Sequence, residues 1–93
     1  MNSASEVAKL DKLIKQAQEL YPNKAGKIQM HHVEPKYLGG PKNGTLAPID
    51  AAYHQVITNE FRTLYPYGQS IPNGLELKNI MHQVYSKFPL PRK

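Results

Sequence analysis

The sequence predicts a small α+β domain: an antiparallel β-hairpin leading into a helix, with one further helix before this unit and one after it. Three observations carry that prediction. Apolar residues recur at helical spacing in three separate stretches. One short stretch between the first two alternates and is rich in β-formers. Each stretch is bounded by residues that start or stop structure. The chain has 93 residues, the size of one domain with one modest core.

The first helix is read over residues 4–20. Val7, Leu10, Leu13, Ile14, Ala17 and Leu20 make its apolar stripe, and Ser3 with Glu6 form a capping box at its start. Pro22 and Gly26 end it. Residues 27–33, Lys27 to Val33, read as a strand that Pro35 stops. Tyr37 to Gly44 is rich in glycine and turn residues and reads as a loop. Residues 45–48 form a second extended segment, paired with the first across that loop. Asp50 is a good N-cap for a helix over 51–64, with Tyr53, Val56, Ile57, Phe61 and Leu64 on its apolar face. Pro66 and Gly68 close it. Asn73 with Glu76 opens a last helix over 74–87, whose face is Leu77, Ile80, Met81, Val84 and Tyr85, with Phe88 at its end.

Composition narrows the chemistry. There is no cysteine, so disulfide frameworks and thiolate zinc sites are excluded. A metal would have to be held by His, Asn, Asp or Glu. Twelve Lys and Arg against seven Asp and Glu give a net charge of +5, which favours polyanionic partners. Mean hydropathy is −0.58, and no apolar run approaches the roughly 18 residues of a membrane span. The N-terminal residues lead into a charged helix without the apolar core of a signal peptide.

Three of the four histidines fall in the central strand–loop–strand–helix piece, about residues 27–64. His31 and His32 are adjacent at the end of the first strand, and His54 lies one turn into the following helix. A single histidine on such elements is usually structural. An adjacent pair is different, because neighbouring strand residues face opposite ways. One member can meet His54 while the other stays free. Two metal ligands and one free imidazole are what metal-assisted phosphodiester hydrolysis needs. His32-Val33-Glu34 also reads as the H-x-E of zinc deaminases, but those need a Cys-x-x-Cys partner.

The run His31-His32-Val33-Glu34-Pro35, then Leu38-Gly39-Gly40, Asn43-Gly44, Leu46 and Tyr53-His54-Gln55, resembles the ββα-metal nucleases, the HNH/endonuclease VII or His-Me finger superfamily. More narrowly it is similar to the C-terminal toxin domains of bacterial polymorphic toxins and secretion-system effectors. The likeness covers about residues 28–61. It implies a ββα-metal finger with His31 as first metal ligand, His54 as second and His32 as general base. Lys36 and Lys42 would contact phosphate, Arg62 would contact DNA, and Asn43 or Asn59 would orient the site. The cofactor implied is one divalent ion (Mg²⁺, Mn²⁺, Zn²⁺ or Ni²⁺), and the substrate is DNA in preference to RNA. The resemblance further implies the toxic C-terminal module of a longer effector, delivered into a target cell's cytoplasm and held harmless in its producer by an immunity protein. One departure matters. Many members carry a second helical histidine four residues after the first, where this chain has Thr58. His82 is the remaining histidine available to complete the ligand set, although a surface position suits it better. A non-catalytic nucleic-acid- or protein-binding module on the same scaffold is the alternative. Tyr65 and Tyr67 are expected to pack the loop after the second helix rather than stack on bases. Lys9, Lys12, Lys15 and Lys24 are expected on a solvated face.

Overall fold

A computed structural model of the protein describes residues 4–40, 43–66 and 68–90. Within them the chain forms α1 (Ala4–Leu20), β1 (Ile28–His32), β2 (Leu46–Asp50), α2 (Ala51–Leu64) and α3 (Gly74–Lys87), in that order. Two 3₁₀ turns, Pro22–Lys24 and Lys36–Leu38, lie in the connections. The architecture is α+β: three helices and one antiparallel hairpin. The Ser3 cap, Lys42 and Tyr67 lie outside the described residues.

Helix α2 is the centre of the molecule. It packs against α1, α3 and both strands. Its residues Ala52, Tyr53, Ile57 and Phe61 are buried together with Leu10 and Ala17 of α1, Ile49 of β2, and Ile80 and Val84 of α3. The spacing of those α2 positions places Tyr53, Ile57 and Phe61 on one stripe. Val7 and Leu20, expected on the stripe of α1, are exposed at the two ends of that helix, and Leu64 is exposed at the end of α2. Helix ends outrun the neighbours that would cover them, so the apolar stripe is buried only in its middle.

The hairpin is shifted from its expected bounds. β1 spans 28–32 rather than 27–33, and β2 spans 46–50 rather than 45–48. The register runs from Ile28 opposite Asp50 to His32 opposite Leu46. Pro48 lies within the ladder, opposite Met30, and Asp50, the cap of α2, also closes the strand opposite Ile28. In a two-stranded ribbon every strand is an edge strand, which tolerates a proline.

Asp50 joins the elements. Its Oδ1 accepts from the amides of Ala52 at 2.9 Å and Tyr53 at 3.3 Å, capping α2. Its Oδ2 accepts from the Gly26 amide at 2.8 Å and from Gln18 Nε2 of α1 at 3.2 Å. Burial pushes the carboxyl up. The bonds from Gly26, Gln18, Tyr53 and Ala52 outweigh this and hold it below the usual carboxylate range. Asp50→Ala is expected to cost about 2 kcal/mol, the upper end for a lost cap. Asp50→Asn should cost less, because its amide oxygen still accepts from the α2 amides while its NH₂ cannot accept from Gly26 or Gln18. Urea unfolding of the two variants checks the order; equal losses would remove the cap from the account. At the other end, the capping box of α3 forms as expected, with Asn73 and Glu76 each bonding the other's backbone amide.

The loop after β1 folds back on itself. Gly39 adopts φ +93° at the end of the Lys36–Leu38 turn. The Gly40 amide donates to the Pro35 carbonyl at 3.0 Å, and a Cβ on Gly40 would stand 2.1 Å from the Glu34 carbonyl oxygen. Only glycine fits there. This tight return buries Leu38 completely and sets the turn Pro35-Lys36-Tyr37 beside the end of β1.

Candidate metal centre

The end of β1, the turn after it and one face of α2 enclose an open cleft of about 380 Å³. β1 contributes Met30, His31 and His32, the turn contributes Pro35, Lys36 and Tyr37, and α2 contributes His54, Thr58 and Phe61. The α2 residues follow the i, i+4, i+7 spacing of one helix face. His54 therefore borders the same space as the adjacent pair His31 and His32, although more than 20 positions separate it from them in the chain.

The three imidazoles differ in setting. His31 is 3% exposed and is the buried polar residue of the core. Its ring centroid lies 5.1 Å from that of His54, with the planes at 67°. Two imidazoles on one tetrahedral ion hold their centroids roughly 5 Å apart, given a metal–nitrogen bond of about 2.1 Å. The separation of the His31 and His54 rings falls at that value. His32 is half-buried and remains accessible at the same cleft. Among the described residues no group of three or more His, Asp or Glu side chains is gathered where it could hold an ion. His82 is exposed and lines a different groove with Glu34 and Lys78, so it does not supply the ligand that Thr58 fails to provide.

His31 and His54 each have a hydrogen-bond partner that the sequence does not reveal. His31 Nε2 is 2.8 Å from the Tyr85 hydroxyl, which itself donates to the Val33 carbonyl at 2.6 Å. His54 Nδ1 is 2.7 Å from Gln29 Oε1. Strand alternation held the signal for Gln29, since it lies two residues before His31 and so on the same face of β1. In the sequence Tyr85 reads as an apolar-face residue of α3, although a half-buried tyrosine usually brings its hydroxyl to a partner.

The remaining expected site residues divide. Lys36 lines the cleft. Arg62 is exposed in the last turn of α2, and Asn43 is exposed in the loop, neither of them bordering the cleft. Asn59 is turned to other work: its Nδ2 donates to the Tyr21 hydroxyl and its Oδ1 accepts from Gln55, whose own Oε1 accepts from Lys24. That network ties α2 to the segment after α1, so Asn59 does not orient the site. It also engages Lys24, which is half-buried rather than solvated. Tyr65 packs against the core and bonds the Ser70 carbonyl, as a loop-packing residue should.

Burial pushes the His31 imidazole down to about 4, helped by the charges His54 and His32 would carry. Burial, Lys24 and His32 lower His54 as well. Both rings are therefore neutral near pH 7 and each offers a lone pair. In the unfolded chain His31 takes up its proton near the ordinary value of 6.5, but in the folded protein only near 4. Between those values the unfolded state binds more protons, so stability present above pH 6.5 is lost as pH falls towards 4. The loss should reach up to about 3 kcal/mol. Urea unfolding from pH 7 to pH 4 in EDTA checks this, and His31→Gln should flatten the dependence.

The chain matches no protein-family model, no curated protein and no solved structure.

Proposed function

We propose that the protein is a metal-dependent endonuclease of the ββα-metal type that hydrolyses phosphodiester bonds of DNA. The observation that carries this reading is the meeting of His31, His32 and His54 at one cleft on a strand–strand–helix unit. Two rings stand at a separation suited to a shared ion, and the third remains accessible.

In this reading His31 and His54 hold the ion. A bound divalent ion supplies positive charge against the phosphate and the leaving oxygen. His32 accepts the proton of the attacking water and so raises its nucleophilicity. Lys36, at the edge of the same cleft, offsets the charge of the scissile phosphate. The net charge of +5 favours the DNA backbone as partner. Among the described residues the cleft is lined by no carboxylate. Imidazole donors suit Zn²⁺ or Ni²⁺, whereas Mg²⁺ and Mn²⁺ prefer oxygen, so Zn²⁺ or Ni²⁺ is the better fit. The wider context follows from the likeness in sequence alone: the toxic module of a larger effector, acting in the cytoplasm of a target cell and restrained by a cognate immunity protein.

A plasmid-nicking assay tests the reading, run with Mg²⁺, Mn²⁺, Zn²⁺, Ni²⁺ and EDTA and with an RNA substrate in parallel. Nicking that needs a metal and stops in EDTA is expected. Salt-sensitive DNA binding with no cleavage in any metal would overturn it in favour of a binding module. Faster cleavage of RNA would make the enzyme a ribonuclease with the same residues.

A further inference from the structure

The bonds to Tyr85 and Gln29 determine which nitrogen of each histidine is available. A phenolic hydroxyl has one proton to give. Tyr85 gives its proton to the Val33 carbonyl, an acceptor only, at 2.6 Å. Its oxygen can then only accept from His31, 2.8 Å away. His31 must carry its proton on Nε2, which leaves the lone pair on Nδ1. Gln29 Oε1 is likewise an acceptor only, so the 2.7 Å bond makes His54 the donor through Nδ1–H. Its lone pair is on Nε2.

We infer that Tyr85 and Gln29 are positioning residues that fix the two imidazoles in opposite tautomers, with His31 Nδ1 and His54 Nε2 as the donor atoms offered to a metal. The part concerning the metal rests on the proposed nuclease reading; the tautomers belong to the metal-free protein. The two partners do not act equally. A free neutral imidazole side chain favours the Nε2–H form, so Tyr85 reinforces the preference of His31. Gln29 holds His54 in the less favoured form and therefore bears more of the organisation. Partners of this kind fix both ring orientation and ligand basicity at metal-binding histidines. Tyr85 also ties α3 to the end of β1 through Val33. The ligand on the strand is thus held from the helix on its far side, and the ligand on α2 is held from the strand.

Long-range ¹H–¹⁵N correlation of the histidine rings in the metal-free protein near pH 7.5 tests this directly. The expected result is an unprotonated Nδ1 in His31 and an unprotonated Nε2 in His54. Averaged tautomers at both rings, or the reverse assignment at either, would overturn the inference. Gln29→Leu lies on an exposed strand position and should leave the fold intact. It should return His54 to the Nε2–H form and weaken Zn²⁺ binding, read by calorimetry, about 10-fold. Gln29→Glu keeps an acceptor and should restore both. Tyr85→Phe should weaken Zn²⁺ binding less than Gln29→Leu does, because His31 keeps its preferred Nε2–H form without the hydroxyl. An unchanged His54 tautomer in Gln29→Leu would also sink the assignment. If the tautomers are as expected but Zn²⁺, Ni²⁺ and Mn²⁺ do not bind, the positioning stands and the nuclease reading fails.

Discussion

His32→Ala should abolish DNA cleavage while leaving folding and metal affinity intact. The expected loss is at least about 100-fold, the lower end for removing a general base. The split between the two readouts follows from geometry. His32 is half-buried at the cleft and is not part of the His31–His54 pair with its 5.1 Å ring separation. Truncating it leaves the donor atoms and their partners in place. His31→Ala or His54→Ala should do the opposite and weaken metal binding, with cleavage falling as a consequence. Single-turnover nicking at saturating metal, beside calorimetry of the same proteins, separates the two classes. Cleavage by His32→Ala at the wild-type rate would remove His32 as the base. Unchanged metal affinity in both ligand variants would remove the ligand assignment.

The parts of this site that the sequence revealed are those set by local rules. α2 begins at Ala51 and ends at Leu64, as expected, because Asp50 caps its start and Pro66 stands just past its end. α3 begins where Asn73 and Glu76 cap each other. The histidines could be brought together on paper because a strand, a return and a helix leave few ways to place them. What stayed hidden depends on partner choice across the fold. Tyr85 lies 54 positions from His31, and nothing local marks it as the residue whose hydroxyl meets that ring. Asn59 looked like a site residue because it is polar and lies on the right helix. It points instead towards Tyr21, since the single-residue step from Thr58 turns a side chain about 100° round the helix, away from the cleft. The end of β2 was missed for the converse reason. Asp50 reads in the sequence as the cap of α2, yet the ladder runs on to it, because pairing with β1 decides the strand.

Phe61→Ala should be among the most destabilising single changes in the protein, and its effect should reach the proposed metal site. Phe61 is 1% exposed and meets Tyr85 edge to face, with centroids 5.6 Å apart. It also borders the cleft. Truncating a buried phenylalanine costs about 3–5 kcal/mol through lost burial and the cavity left behind. A domain of this size has a total stability of only about 5–14 kcal/mol, so much of it would go. Thermal unfolding followed by circular dichroism should shift down by roughly 15–30 °C. The cavity would open beside the ring of Tyr85, whose hydroxyl holds His31. Any of the variant that remains folded should therefore bind Zn²⁺ more weakly, although residue 61 offers no ligand atom. Phe61→Leu, which keeps most of the apolar volume, should recover much of the stability. A loss below about 1 kcal/mol in Phe61→Ala would mean that the cleft's inner wall is not part of the packed core. The coupling is the physical point: the core that stabilises the fold also sets the ring of Tyr85, so the site is only as ordered as the packing under it.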